Sequence, residues 1–77
     1  MTLEIISPSE IIFSGEVEAV TLPGFSGKFT VLKNHASLIS VLKVGNVRYL
    51  QGGEENMVEI RGGLADIDQN KIAVCVY

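Results

Sequence analysis

The stretch VRYLQGGEENMVEI, residues 47–60, decides the fold class of this chain. VRYL and MVEI are short runs of strand-forming residues, and the connection between them contains two adjacent glycines, Gly52 and Gly53. Glycine adopts positive φ at no steric cost, and two such residues in succession suit a tight β-hairpin turn. The stretch therefore predicts two antiparallel strands joined by a hairpin.

Similar turn signals occur on both sides of this hairpin. LADID and KIAVCVY are separated by Gln69 and Asn70, and the first strand-like run ends at Ser7 and Pro8. Turn signals recur about every eight to twelve residues, and apolar and polar residues alternate with period 2 between them. We predict an all-β fold, an antiparallel two-sheet β-sandwich of about eight to ten short strands.

The alternation also predicts a core, because apolar residues on one side of each strand must face the interior. A chain of 77 residues is long enough for one such core, so we expect a single domain over residues 1–77. Cys75 alternates with apolar neighbours and is expected to be a small buried or half-buried residue. The predicted core includes Leu3, Ile5, Val17, Val31, Leu42, Ile60 and Val74.

Charge and hydropathy limit the classes of partner. The net charge of −3 speaks against nucleic acid, since duplex binders need a basic face to displace counterions. We expect no signal peptide and no membrane span, because the N-terminus lacks a basic region and no apolar run approaches ~18 residues. Residues 19–53 nevertheless contain no acid. They hold four of the six basic residues: Lys28, Lys33, Lys43 and Arg48.

No constellation of residues indicates catalysis or metal binding. His35 has neither a second histidine nor a cysteine at zinc-ligand spacing, and no Gly-x-Ser-x-Gly pattern occurs. Asp66 and Asp68 alternate with apolar residues, which is typical of the solvated face of a strand. We expect no catalytic, cofactor or metal site.

The segment TLPGFSGKFTVLKNHASL, residues 21–38, is the part that strand formation explains least. Pro23 followed by Gly24 predicts a type II turn at LPGF. The glycines and Lys28 do not form a phosphate loop, which needs four residues between its glycines and a following helix. Constrained loops with apolar and basic side chains lose little entropy on docking, so the segment predicts a binding surface.

Nearly the whole chain resembles one known family. LEIISP, FSGEV, LPGFSG, KNHA, GGLA and a final NKIAVCV strand occur in this order. In order and spacing they are similar to the N-terminal β-sandwich domain of the ε subunit of bacterial F-type ATP synthase, called δ in mitochondria. The loop departs from the common family pattern at Lys28, Thr30, Lys33, Asn34 and Ser37, where an acid, a glycine, Pro-Gly and a proline are usual.

The resemblance implies a noncatalytic rotor subunit that couples the γ subunit to the membrane c-ring during proton- or sodium-driven ATP synthesis. It implies a peripheral position at the cytoplasmic face of the bacterial inner membrane, held through the complex. Carried over by position, it implies two sets of partner-binding residues: Phe25, Ser26 and Lys28 on the c-ring side, and Ser7, His35 and Ser40 on the γ side.

The resemblance also implies something about regulation. Family members usually continue into a C-terminal helical hairpin, which extends along γ to block rotation and in some members completes a site for ATP. This sequence stops at Tyr77, the last residue of the KIAVCVY run. We therefore expect the helical hairpin to be absent, with no inhibition by extension and no ATP binding.

Two alternatives from other classes stay open on the residues alone. A lipoyl or biotinyl carrier domain is also a small β-sandwich, but it needs a lysine at a hairpin tip in a Met-Lys-Met-like context, and neither methionine here adjoins a lysine. A small hydrolase using His35 would need a nucleophile that the sequence does not display.

Overall fold

The computed structural model describes residues 1–77 and consists of nine β-strands without a helix. It contains no helix with the length and apolar character needed to cross a bilayer. The predicted all-β class and strand number are confirmed. The strands are β1 (Thr2–Ile6), β2 (Ile11–Glu16), β3 (Ala19–Gly24), β4 (Gly27–Leu32), β5 (Leu38–Leu42), β6 (Gly45–Gln51), β7 (Glu54–Ile60), β8 (Gly63–Asp68) and β9 (Lys71–Val76).

Hydrogen bonds connect all nine strands in the order β2-β1-β9-β8-β5-β3-β6-β7, with β4 also paired to β3. β5 and β3 are joined only where Gly24 meets Leu42, so the sheet bends at that point. The half formed by β2, β1, β9, β8 and β5 covers the half formed by β4, β3, β6 and β7, and one hydrophobic cluster of 15 residues lies between them.

Two details differ from the predicted two-sheet antiparallel arrangement. The halves form one continuous curled sheet, and β1 pairs with β9 in parallel, with Thr2 opposite Lys71 and Ile6 opposite Cys75. Period-2 alternation shows which segments are strands but not which strands become neighbours. The pairing of the first and last strands was therefore outside what alternation could predict.

The predicted hairpins form at the glycine and amide turns. Gly52 and Gly53 have φ of 59° and 81°, and Gln69 and Asn70 have φ of 48° and 61°. Positive φ at both central residues matches the twist of the flanking strands. The β6–β7 and β8–β9 turns therefore confirm the two hairpin predictions.

All seven predicted core residues are buried. The expectation for Cys75 is wrong, because its side chain is exposed. In β9 Ile72, Val74 and Val76 face the core, so period-2 geometry places Cys75 on the opposite face. The expectation for Cys75 followed from its apolar character alone and not from the face of the strand on which it lies.

Candidate functional site

The segment 21–38 contains the β3–β4 turn, which forms a tip at one end of the sandwich. The predicted type II turn at LPGF is wrong: Pro23 and Gly24 are buried in β3, and the turn residues are Phe25 and Ser26. The strand continues through Pro23 because the main chain there still forms a hydrogen bond to a neighbouring segment. The Pro23 carbonyl accepts a hydrogen bond from the Lys43 N–H at 2.9 Å.

Glycine at position 24 is required by close packing. A Cβ there would lie 2.5 Å from the carbonyl oxygen of Gly27 and 2.9 Å from the Phe29 ring. The two strands therefore meet tightly below the tip, and the Phe25 ring is left 70% exposed. The close packing at Gly24 thus lies directly below the exposed Phe25 ring.

The tip and β5 form a groove of about 370 Å³, lined by Phe25, Ser26, Phe29 and Ser40 among others. The Phe25 N–H donates to the Val41 carbonyl at 2.8 Å and holds the tip against β5. Ser40, assigned by resemblance to the γ side, therefore lies beside Phe25 and Ser26, assigned to the c-ring side.

Ser7 and His35 are separated by the length of the strands. Ser7 follows β1 and donates through Oγ to the Glu10 carbonyl at 3.3 Å. His35 lies in the β4–β5 connection, whose Asn34 N–H donates to Asn70 Oδ1 at the opposite end of the sheet. The structure thus does not bring the three residues assigned to the γ side into one cluster.

A local hydrogen bond orients the His35 ring. Its Nδ1 lies 2.7 Å from the Ala36 carbonyl oxygen. A carbonyl only accepts hydrogen bonds, so Nδ1 carries a proton in this contact. Because the side chain is half-buried in a surface connection, Nε2 is the ring nitrogen left for another partner.

An apolar row crosses the outer face of one half of the sheet. Val41 is opposite Leu64, Leu64 is opposite Cys75, and Ile6 follows along the same line. Directly opposed residues share a face, so these side chains form one strip. We call Val41, Leu64, Cys75, Ile6 and Ile11 the outer row, in which Val41 is 53%, Leu64 50% and Ile11 64% exposed.

Sequence reasoning missed the outer row, although a signal was present. In LISVL, residues 38–42, Ile39 and Val41 alternate with Leu38 and Leu42, so apolar side chains lie on both faces although the core covers only one. Singly exposed apolar residues are normal, but a contiguous strip on a small protein marks a contact surface.

The basic residues of the acid-free range, residues 19–53, do not form one surface. Lys28 is near the start of β4 and Lys33 follows its end, so the two lie at opposite ends of the sandwich. Lys43 and Arg61 lie at the Lys28 end, in the β5–β6 and β7–β8 turns. Arg61 lies outside the acid-free range but shares this end of the sandwich with Lys28 and Lys43. Position along the chain therefore did not predict which basic residues lie together.

At the other end, the carboxylates form bonds within the protein. Glu18 accepts from the N–H groups of Gly52 and Gly53 at 3.0 and 3.2 Å. Glu16 accepts from Thr2 Oγ1 at 2.6 Å. That bond lowers the pKa of the Glu16 carboxyl, and the Met1 ammonium, 3.5 Å away, lowers it further.

Asp66 and Asp68 lie on the outer face of β8, as the alternation predicted, and both are exposed. Asp66 is opposite Ile39 and Asp68 is opposite Lys71. Ser37 donates to Asp68 through its hydroxyl, which ties the β4–β5 connection to this face. The pair therefore belongs to a solvated strand face.

Comparison with known proteins supports a single family. The family model described as the β-sandwich domain of the delta/epsilon chain of ATP synthase matches residues 1–77. The ATP synthase epsilon chain of Campylobacter fetus is 45% identical over 75 residues, covering 96% of this chain and 58% of that protein. The epsilon chain of Chlorobaculum tepidum is 44% identical over 71 residues, covering 91% of this chain and 81% of that protein.

The epsilon chain of Nitratidesulfovibrio vulgaris is 36% identical over 72 residues, covering 94% of this chain. The chain spans only 54% of that relative's length. A chain in the Euglena gracilis mitochondrial ATP synthase assembly of OSCP, F1 and c-ring superposes with a TM-score of 0.88 at 25% identity, covering 96% of this chain and 48% of that one. A chain of the Tetrahymena thermophila mitochondrial central stalk and c-ring shares the fold, with a TM-score of 0.81 at 11% identity, covering 97% and 61%.

Proposed function

This chain belongs to the family of ATP synthase delta/epsilon chain β-sandwich domains, and on that premise we propose that it is a noncatalytic subunit of the central stalk of an F-type ATP synthase. It would couple the γ subunit to the c-ring during proton- or sodium-driven ATP synthesis. The observation that carries the proposal is the family match over residues 1–77.

The surface supports a coupling role because it offers two adjoining contact regions on a rigid frame. The outer row is a strip of apolar side chains across five strands, of which Ile6 is half-buried and the other four are exposed. Apolar side chains at the centre of an interface exclude water and supply most of its affinity. We assign the outer row to the γ subunit, with Ser7 directly after Ile6 in the chain. Ser40 precedes Val41 in β5, but strand alternation turns its side chain to the opposite face, where it lines the groove beside the tip.

The assignment of Phe25, Ser26 and Lys28 to the c-ring rests on their common position at one end of the sandwich. Phe25 and Ser26 form the tip and Lys28 follows it directly in β4. His35 lies at the other end, so under this proposal it contacts a different part of γ from the outer row. Its Nε2 is the atom available for that contact.

The proposed location follows from the proposed assembly. A subunit held between γ and the ring is peripheral to the membrane. The relatives in Campylobacter, Chlorobaculum and Nitratidesulfovibrio are bacterial, which supports the cytoplasmic face of the bacterial inner membrane as the location.

Co-purification tests the function. A tagged full chain expressed in the source organism should retain the γ and c subunits from membranes solubilised in mild detergent. The same chain with Val41→Glu and Leu64→Glu should lose γ, because two buried carboxylates in an apolar contact are costly. Retention of no ATP synthase subunit by the unaltered chain would reject the proposal.

A further inference from the structure

The connection between β4 and β5, residues 33–37, carries His35 and begins with a tight turn. The His35 N–H donates to the Leu32 carbonyl at 3.1 Å and closes this turn. Asn34, its third residue, has φ of 67°, which fits a type II turn. Glycine is the usual residue at that position, because positive φ costs it nothing. With asparagine there, the turn needs support from elsewhere in the molecule.

Asn70, in the β8–β9 turn, supplies that support through both ends of its carboxamide. Its Oδ1 accepts from the Asn34 N–H at 2.6 Å, and its Nδ2 donates to Asn34 Oδ1 at 3.1 Å. We call these two bonds the amide pair, which joins positions 36 residues apart. Asn70 is itself fixed, because its carbonyl accepts from the Thr2 N–H in β1 at 2.9 Å. The amide pair therefore anchors the turn to the frame of the sandwich.

A second bond anchors the far end of the connection to the same hairpin. The Ser37 hydroxyl donates to Asp68, the last residue of β8. Between the two anchors lie His35 and Ala36, and the Nδ1 contact with the Ala36 carbonyl orients the ring. The position of the ring, and with it the direction of Nε2, is thus set by the β8–β9 hairpin.

This hairpin also carries part of the outer row. Leu64 and Asp68 both lie on β8, and Cys75 lies on β9. A strand rises about 3.3 Å per residue, so Leu64 and Asp68 are about 13 Å apart on one element. The hairpin therefore holds His35 and the outer row, the two regions assigned to γ, at a fixed separation.

We propose that Asn70 is a positioning residue that presets the His35 connection for docking on γ, an inference that rests on the proposed function. A connection that is already ordered loses little conformational entropy on docking, whereas a free one loses more and binds more weakly. Asn34 is exposed and Asn70 is half-buried, and bonds near the surface contribute modestly to folding. Loss of the amide pair should thus change binding more than stability.

Asn70→Gly tests the proposal, because it removes the carboxamide while glycine takes the φ of 61° without strain. Gln69→Gly is the matched control. It lies in the same turn with φ of 48°, and its exposed side chain takes no part in the amide pair. Both full chains are titrated onto detergent-solubilised ATP synthase depleted of this subunit, after circular dichroism shows that they fold.

Asn70→Gly should weaken binding on the order of tenfold relative to the control, since one or two backbone positions must then be ordered on docking. Nuclear magnetic resonance relaxation of the amides of residues 34–37 in the free chain should show faster local motion in Asn70→Gly and not in the control. Asn70→Asp keeps the acceptor for the Asn34 N–H and removes the donor, so it gives the same test with a smaller change if Asn70→Gly fails to fold.

Two further variants separate positioning from a purely structural role. Adding Lys33→Pro and Asn34→Gly to the Asn70→Gly chain should restore binding, because proline and glycine favour the type II turn locally. In a His35→Ala chain, Asn70→Gly should weaken binding much less, because the side chain that Asn70 positions is gone.

Equal binding by the Asn70→Gly and Gln69→Gly chains would overturn the inference and leave the proposed function intact. The same loss on Asn70→Gly with and without His35 would also overturn it, as would unchanged motion of residues 34–37. A failure of the unaltered chain to bind the complex would instead reject the proposed function.

Discussion

The two ends of the sandwich are built from the same strands, yet they use their charges differently. At one end the Glu18 carboxylate caps the β6–β7 turn and Ser37 bonds Asp68. At the other end, which carries the β3–β4 tip and which we call the basic end, the side chains of Lys28, Lys43 and Arg61 form no ion pair or hydrogen bond. A charge that satisfies a turn stabilises the fold, whereas a charge left free beside exposed apolar residues is available to a partner.

The largest effect should come from changing the backbone at the basic end. Gly63→Ala should destabilise the fold by about 2–5 kcal/mol, since φ is 154° and a Cβ would lie 2.1 Å from the Cys75 carbonyl oxygen. Urea unfolding followed by circular dichroism measures the change.

Gly53→Ala is the matched control at the other end. Its φ of 81° is also positive, but a Cβ there would meet nothing within 4 Å. We expect a cost of about 1 kcal/mol from backbone conformation alone. Equal costs at the two glycines would show that close packing between β8 and β9 does not control this end.

The outer row should be the next most sensitive feature, and its effect should be on binding. Leu64→Glu should weaken association with γ by about 2 kcal/mol or more, because a carboxylate would be buried in an apolar contact. Met57→Glu is the control: Met57 is exposed like Leu64, but it lies on β7 in the other half. Titration of each chain onto purified γ measures the difference. Equal affinities for the two variants would place the contact elsewhere.

Removing one charge at each end should change the free energy of unfolding by different amounts, and this difference should be smaller than the effects above. Glu18→Gln weakens the acceptor for two turn N–H groups and should cost about 1 kcal/mol of unfolding free energy. Lys43→Gln should leave stability unchanged, since its side chain forms no hydrogen bond or ion pair in the structure. Thermal unfolding of both variants measures this. A destabilised Lys43→Gln chain would contradict the division between the ends.

The smallest effect should be a pH dependence from Glu16. Its pKa is lowered in the folded state, first by the Thr2 hydroxyl and then by the Met1 ammonium. The resulting stability is fully present above the pKa of glutamate in the unfolded chain, and it is lost as the pH falls through the lowered folded-state pKa. Thr2→Val should flatten the acid limb of a plot of stability against pH. An unchanged limb would show that the bond does not persist in solution.

The hairpins that were predicted correctly depend on the backbone preferences of the turn residues themselves. Gly52 and Gly53 specify a hairpin because the φ values they adopt are open to glycine without strain. The same reasoning was wrong at Pro23 and Gly24, where the pair is also consistent with a type II turn. The bond from Lys43 to the Pro23 carbonyl and the packing of Phe29 against Gly24 favour the extended chain, and both partners are distant or across the hairpin.

The candidate surfaces were less predictable than the core. The alternation identified Leu3, Ile5 and Val74 as inward-facing, and all are fully buried. It did not reveal that Val41, Leu64 and Cys75 would line up, because that depends on the register between β5, β8 and β9. Register is a relation between strands, which a single-chain pattern does not contain.

The sequence by itself determined the all-β class, most inward-facing residues, the β6–β7 and β8–β9 hairpins and the family, because each depends on residues close together along the chain or on motifs in order. Only the tertiary structure decided which charges are neighbours. Lys28 and Lys33 are five positions apart yet lie at opposite ends of β4, whereas Lys28, Lys43 and Arg61 come from separate elements and share one end. An extended strand carries residues about 3.3 Å further from one another at each step, so closeness in sequence becomes distance in space, and strand pairing brings remote turns together.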